Sequence, residues 1–128
     1  GMGPYENSVD MRHHCCMGLY ASSPEKEYVP YVMPQDHGNH IDTQYLSLDS
    51  GLEFFADNGF TFQLLPYSAE ALTRATHTDE LPATGNSYLR IDYRDSGFGS
   101  ASCVAEMLPC YRVDEKNISY SFAFRPTK

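Results

Sequence analysis

Two glycine-bearing turn signals, eight positions apart, place the strongest constraint on how this chain can fold. Asp49-Ser50-Gly51 and Asp57-Asn58-Gly59 each interrupt a run rich in apolar and aromatic residues. Glycine supplies the positive φ that tight hairpin turns require, and Asp or Asn beside it favours the same turns. The spacing therefore predicts three consecutive antiparallel strands over Thr43–Leu48, Leu52–Ala56 and Phe60–Leu65.

The composition agrees with a fold made of sheets. The 128 residues include 10 Tyr, 7 Phe and no Trp, together with 8 Pro and 9 Gly. Aromatic residues favour strands, while Pro and Gly mark frequent turns. Because the length is that of one ordinary domain, we predict a single all-β domain over residues 1–128.

The other elements follow from local signals. The Ser68 hydroxyl can cap the first-turn amides of a short helix that runs to Ala75. Prolines keep Tyr28–Pro34 extended, at a sheet edge or on the surface. The remaining predicted elements are a strand over Met11–Tyr20, a connection over Ala21–Lys26, a strand over Tyr88–Arg94, a loop over Ser96–Ala105 and a closing strand over Ile118–Phe124.

The charge balance argues against two classes of partner. Nine Lys and Arg stand against 17 Asp and Glu, a net charge of −8. Nucleic acid and anionic membranes are bound by clustered basic residues, whereas the basic residues here are scattered. No apolar run approaches the roughly 20 residues of a membrane helix, and residues 1–4 lack the features of a signal peptide. We expect neither nucleic acid nor membrane as a partner.

The candidate reactive side chains do not form a recognised pattern. The run His13–Cys16, with Cys103 and Cys110, could suggest zinc, but closely spaced ligand pairs are missing. Cys103 and His77 could be a nucleophile and its base, yet no spacing brings them together. Seventeen acidic residues make chance carboxylate pairs unavoidable, so they identify no glycosidase acid and base. We predict no catalytic residue, no metal and no cofactor in this chain.

Six blocks of residues resemble one known family when they are taken in order along the chain. They are Gly3-Pro4-Tyr5-Glu6-Asn7; Tyr28-Val29-Pro30-Tyr31-Val32 with Pro34-Gln35, Gly38-Asn39 and Asp42; Leu65-Pro66-Tyr67-Ser68 with Thr76-His77 and Glu80-Leu81; Leu89-x-Ile91-Asp92-Tyr93-Arg94 leading to Gly97-Phe98-Gly99-Ser100-x-Ser102-Cys103; Leu108-Pro109-x-Tyr111-Arg112; and Tyr120-Ser121-Phe122 with Phe124-Arg125-Pro126. Together they resemble the C-terminal domain of the LacZ-type β-galactosidases of glycoside hydrolase family 2.

The resemblance implies an antiparallel β-sandwich, as a segment of a galactose-mutarotase-like supersandwich. It covers only the C-terminal portion of that domain, and the family's catalytic carboxylates belong to an upstream barrel. It thus implies a non-catalytic segment that packs on the catalytic barrel domain or on a separate large subunit. The loop implied to lie near the β-galactoside sugar contains Gly97, Phe98, Gly99, Ser100, Ser102 and Cys103. A bacterial origin is implied, with the cytoplasm and the periplasm both open.

Departures from the family pattern leave alternatives open. The family's glycine loop often carries a substrate-stacking Trp, but Cys103 and Val104 stand at the matching positions. A stand-alone carbohydrate-binding module is one alternative, although the absence of Trp argues against it, and a complementing small subunit is another. Half a sandwich would leave the apolar side of Ile118–Phe124 uncovered, so we also expect a homo-oligomer. We expect the loop Ser96–Ala105 to be exposed or mobile.

Overall fold

The chain forms antiparallel sheets with short helices between the strands. The computed structural model describes residues 1–97 and 106–127. The elements are β1 (Met2–Gly3), β2 (Cys16–Met17), α1 (Pro24–Glu27), β3 (Asn39–Leu48), β4 (Leu52–Leu65), α2 (Ala69–Arg74), β5 (Tyr88–Asp92) and β6 (Ala123–Pro126), with single-turn 3-10 helices at Thr78–Glu80 and Pro109–Tyr111. The all-β prediction is confirmed. The described residues contain two short α-helices where one was predicted.

The main sheet is organised around β4, which is 14 residues long. β3 pairs along one edge of β4. The other edge is shared, because β5 pairs with Thr61–Leu65 and β6 pairs with Leu52–Phe55. All of these pairings are antiparallel, and β1 and β2 form a separate two-stranded sheet.

The first predicted hairpin is confirmed. Gly51 adopts φ +86°, and its N–H donates to the Leu48 carbonyl at 2.9 Å. Leu48 pairs with Leu52 across the turn, so the register of β3 and β4 is set there. The turn sequence therefore fixes which side chains of the two strands share a face.

The second predicted hairpin, at Asp57–Gly59, is wrong, because the chain continues straight through β4. Thr43 pairs with Phe60 while Tyr45 pairs with Phe55, so β4 carries extra residues opposite β3 and forms a bulge. Gly59 has φ +77° at this bulge. A bulge and a hairpin can both require a positive φ, so the Asp-Asn-Gly signal does not distinguish them.

Among the residues that the structure describes, three small clusters form the core. One lies between α2 and the end of β4, and a second surrounds Ile41 at the start of β3. The third lies on β4 around Phe54 and Phe60, where Leu89 and Ile91 of β5 pack against it. α2 begins as predicted, since the Ala71 N–H donates to the Ser68 hydroxyl at 3.1 Å.

Two predicted strands are much shorter in the structure. Within Met11–Tyr20 only β2 is extended in a ladder, because reciprocal backbone bonds between Ser8 and Met11 at 3.1 Å turn the chain beforehand. Within Ile118–Phe124 only Ala123 and Phe124 belong to β6. Phe55 pairs with Ala123, so the residues before Ala123 run towards the bulge, where β4 offers no regular ladder.

The connections also differ in part. The predicted connection Ala21–Lys26 contains the start of α1, which Pro24 begins after Ser23, where its missing N–H costs nothing. Tyr28–Pro34 was predicted to be extended at a sheet edge or on the surface, and it belongs to no strand. The predicted loop Ser96–Ala105 lies outside the described residues from position 98 onward. In the described part of the chain, no helix has the length and apolar character needed to cross a membrane.

Candidate functional site

Gly97 is the described member of the predicted sugar-site loop; Phe98, Gly99, Ser100, Ser102 and Cys103 lie outside the described residues. Gly97 has φ +82°, a conformation that favours glycine. A Cβ atom at this position would overlap the carboxylate of Asp10. The structure therefore gives two reasons for glycine here, the backbone conformation and the close approach of the N-terminal segment.

Asp95 binds the backbone at the start of this loop. The Gly97 N–H donates to Oδ1 of Asp95 at 3.0 Å, and the Asn39 side-chain amide donates to Oδ2 at 3.0 Å. Burial raises the pKa of the Asp95 carboxyl, and the hydrogen bonds from Gly97 and Val9 oppose this rise while the negative charge of Asp10 adds to it. The carboxylate thus joins the N-terminal segment, β3 and the loop.

A polar network continues from Asn39 across the sheet. Arg90 of β5 donates to Oδ1 of Asn39 at 3.1 Å. The same guanidinium forms a two-pronged contact with Asp36, at 2.9 and 3.0 Å, and reaches Asp92 at 2.7 Å. Burial opposes the charge on Arg90, but its hydrogen bonds and the charges of Asp36 and Asp92 raise its pKa. The contacts with Asp36 and Asp92 therefore hold the Arg90 guanidinium in the orientation in which it donates to Asn39.

The other side of the loop base is joined to the C-terminal segment. The Val113 N–H donates to the Ser96 hydroxyl at 3.0 Å. Arg94 donates to the Arg112 carbonyl at 3.2 Å and lies 3.5 Å from the Glu115 carboxylate. Residues 94–97 therefore connect two parts of the chain that are distant in sequence.

An open cleft of about 600 Å³ lies beside residues 94–97, and Arg94 forms part of its wall. Its walls include Arg12, Asp42, Tyr93, Arg94 and Tyr120. Arg12 and Asp42 form an ion pair at 2.9 Å, and the rings of Tyr93 and Tyr120 lie 5.7 Å apart. Among the described residues, Asp42 is the only carboxylate in the cleft wall, so this wall does not supply the carboxylate pair that glycoside hydrolysis needs.

An aromatic row, defined as Tyr120, Phe122 and Phe124, runs from this cleft along β4. Phe124 pairs with Phe54 across β6 and β4, and Phe122 lies 6.4 Å from the rings of both Phe54 and Phe60. The three members of the row remain 39% to 67% exposed. The row thus covers part of the β4 face and leaves its own outer side open.

The cysteine and histidine candidates are not brought together by the described structure. Cys15 is buried, Cys16 and Cys110 are exposed, and all three are free thiols; Cys103 lies outside the described residues. His77 is exposed and lies 3.5 Å from Glu80. In residues 1–97 and 106–127, no three His, Cys, Asp or Glu side chains are arranged to hold a metal ion.

Sequence reasoning missed the roles of Glu6 and Asn7, which hold the N-terminal segment in place. Asn7 is fully buried; it donates to the Met2 and Tyr5 carbonyls and accepts from the Ile41 N–H at 2.9 Å. Glu6 accepts from the Gly38 N–H at 2.8 Å. Burial and the hydrogen bond to Glu6 raise the pKa of Tyr31 to about 12. The available signal was the first block of the resemblance, which contains both residues.

Comparisons with known proteins cover nearly the whole chain. A family model described as beta galactosidase small chain matches residues 1–125. The beta-galactosidase of Actinobacillus pleuropneumoniae is 36% identical over 122 residues, which are 95% of this chain and 12% of that protein. That of Staphylococcus xylosus is 31% identical over 125 residues, 95% of this chain and 13% of the relative. That of Kluyveromyces lactis is 31% identical over 127 residues, which are 95% of this chain and 12% of that protein.

Proposed function

Because the chain belongs to the beta galactosidase small chain family, we propose that it is a non-catalytic C-terminal segment of a β-galactosidase. It packs on the catalytic barrel of that enzyme and brings Gly97, Phe98, Gly99, Ser100, Ser102 and Cys103 close to the bound β-galactoside. The chain spans only 12% to 13% of the curated relatives cited above. This coverage carries the proposal, because a segment that is so small a part of each enzyme leaves ample chain elsewhere for the catalytic groups.

The exposed aromatic row supports a packing role. Large apolar side chains that line up on one sheet face mark a surface that another protein surface covers. Tyr120, Phe122 and Phe124 are such a set, and Ile118 beside them is 48% exposed. We propose that the remainder of the enzyme covers this row.

The hydrogen bonds that hold Ser96 and Gly97 support a role near the substrate. Loops that contribute to binding sites are most effective when a rigid scaffold holds their ends. Here Asp95 fixes the backbone of Gly97, while Ser96 bonds to Val113. The loop begins beside the cleft. Asp10 lies against Gly97, and its sequence neighbour Val9 forms part of the cleft wall.

A chimera tests the proposal. The matching segment of the Actinobacillus pleuropneumoniae relative is replaced by residues 1–125 of this chain, and hydrolysis of a nitrophenyl galactoside is measured. We expect the chimera to hydrolyse the substrate and a relative without the segment to lose activity. A chimera that folds and elutes like the parent but is inactive contradicts the proposal, as does full activity in the deletion variant.

Alanine variants of Ser102 and Cys103 in the chimera test the loop. We expect them to change kcat or KM for the galactoside, while an exposed control, Val32→Ala, leaves both unchanged. If all three variants match the chimera, the loop does not reach the sugar. Separate production of the two pieces, followed by mixing, tests whether the segment also acts as a complementing subunit.

The cleft favours a second candidate, a stand-alone sugar-binding module. Its volume and its mixture of Tyr, Arg and Asp side chains are suited to a small polar ring. Titration of the isolated chain with galactose and lactose, followed by amide chemical shifts, distinguishes the two functions. Saturable shifts at Tyr93 and Tyr120 would favour the module, whereas flat shifts favour a role within the larger enzyme.

A further inference from the structure

The two side-chain oxygens of Asp95 accept from opposite directions. Oδ1 accepts from the Gly97 N–H, and Oδ2 accepts from the Asn39 side-chain amide, each at 3.0 Å. A carboxyl group can accept at both of its oxygens, as Asp95 does here. An amide of the same shape would present a donor to one of the two partners.

The orientation of the Asn39 amide is fixed from its other end. Its Oδ1 accepts from Arg90 at 3.1 Å, so its nitrogen must point towards Asp95. Asn39 is only 4% exposed, which leaves water little access to replace either bond. Arg90 is in turn held by the two-pronged contact with Asp36. The hydrogen bonds therefore run in one direction, from Arg90 to Asn39 to Asp95.

We infer that Asp95 is a positioning residue for Gly97, and that this chain of directed hydrogen bonds from Arg90 through Asn39 holds it in place. It ties the base of the loop to β3 and β5, which belong to the rigid sheet. Because the Gly97 N–H donates to Asp95, a displaced Asp95 would shift the backbone at the point where the chain enters residues 98–105. The relevance of this positioning to a sugar rests on the proposed function.

A side-chain swap tests the direction of the hydrogen bonds. Asp95→Asn places an amide nitrogen against the nitrogen of Asn39 or withdraws the acceptor from Gly97. Asn39→Asp places two carboxylates face to face. The double variant Asn39→Asp/Asp95→Asn restores the bond between positions 39 and 95 with its direction reversed, because the new carboxylate at position 39 accepts from Arg90 and from the new amide at position 95. The oxygen of that new amide accepts from Gly97, and the double variant keeps the net charge of the wild type.

The readout is hydrogen exchange of the Gly97 amide in the full chain, followed by NMR. We expect each single variant to lower the Gly97 protection factor by about tenfold or more, because a buried polar group loses its partner. The double variant should return to within about threefold of the wild type, since the two sites are directly coupled. Ser96→Ala, which removes only the neighbouring bond to Val113, is the matched control and should leave Gly97 protected. Amides in β4 report global stability.

Two results overturn the inference. One is a Gly97 amide whose protection is unchanged in Asp95→Asn while β4 is equally protected. The other is a double variant no better protected at Gly97 than the single variants. If a single variant does not fold, the wild type still decides: Asn39 side-chain amide protons that exchange as fast as those of a free amide would contradict the bond to Asp95.

The same swap in the chimera separates this inference from the proposed function. Loss of galactoside hydrolysis in the single variants and its recovery in the double variant supports both. Rescue of Gly97 protection in the isolated chain without any effect on hydrolysis leaves the positioning role intact. That outcome counts against the approach of the loop to the sugar.

Discussion

Replacing Glu27 with Gln should destabilise the fold far more than the same replacement at Glu70. Each carboxylate lies 2.7 Å from a nitrogen of a basic side chain, Glu27 from His40 and Glu70 from Arg74. The Glu27 and His40 side chains are 11% and 9% exposed, whereas those of Glu70 and Arg74 are 70% and 79% exposed. The two variants therefore make the same replacement at the same contact distance, once at a buried carboxylate and once at an exposed one.

The geometry around His40 explains why its partner matters. Nδ1 of the ring faces the Met2 carbonyl at 3.2 Å, while Nε2 faces Glu27, so both ring nitrogens face acceptors. The ring lies between the N-terminal segment and α1, and a ring nitrogen that carries a proton donates to the acceptor that it faces. A buried hydrogen bond to a charged group contributes about 1.5–3 kcal/mol. Since Gln keeps one accepting oxygen, we expect about 2–3 kcal/mol for Glu27→Gln, against about 0.5 kcal/mol for Glu70→Gln.

Urea unfolding followed by circular dichroism measures both variants. For a slope of about 2 kcal/mol/M, the Glu27→Gln midpoint should fall by roughly 1–1.5 M with the slope unchanged. Burial alone would raise the pKa of Glu27, but hydrogen bonds from His40 and Ser22 and the charge of His40 lower it from its ordinary 4.5. The stability contributed by this carboxylate is therefore complete above about pH 4.5 and is lost as the pH falls through the lowered pKa.

Two observations would refute this reasoning. Equal midpoints for Glu27→Gln and Glu70→Gln at neutral pH would show that the buried pair contributes no more than a surface pair. A stability difference between Glu27→Gln and the wild type that stays constant down to pH 3 would show that the Glu27 carboxylate is not stabilised by folding.

Three further predictions concern packing. Leu72→Ala should cost about 2–5 kcal/mol in urea unfolding because Leu72 is 2% exposed, and a cost as small as that of the fully exposed Val32→Ala would contradict the core assignment. Gly59→Ala should cost about 1–3 kcal/mol and more than Gly85→Ala, since the new Cβ would lie 3.3 Å from the Asp42 backbone while Gly85 has open space; equal losses would refute the crowding. Light scattering of the isolated chain at micromolar concentration should give twice its 14.4 kDa mass, because a second copy covers the aromatic row. The Phe124→Ser variant should be a monomer. A strictly monomeric wild type would show that the aromatic row needs no cover.

Local sequence signals were sufficient where a short segment determines its own structure. The turn at Gly51 and the Ser68 cap depend on neighbouring residues, and both are confirmed. Asp57–Gly59 has the same kind of signal, yet it lies in a bulge. There the pairing of β4 with β3 on both sides of the signal decides the outcome, and that pairing is not visible locally.

The polar network of Arg90, Asn39 and Asp95 could not be predicted from the sequence, because the residues that it joins are distant along the chain. Asn39 and Asp95 are 56 positions apart, and Arg90 and Asn39 are 51 apart. Hydrogen-bond direction depends on the side chains at both ends, so neither residue shows its role alone. The resemblance named the blocks that contain Glu6, Asn7 and Asn39, but not the contacts among them.

The assay of the purified chain alone tests the central claim most directly. A segment that depends on a catalytic barrel elsewhere should not hydrolyse a nitrophenyl galactoside above the buffer rate, even at high protein concentration. The chain should also stay folded under the assay conditions, which circular dichroism of the same sample confirms. Turnover by the pure chain that disappears when one of its own carboxylates is replaced, as in Asp42→Asn, would contradict the account.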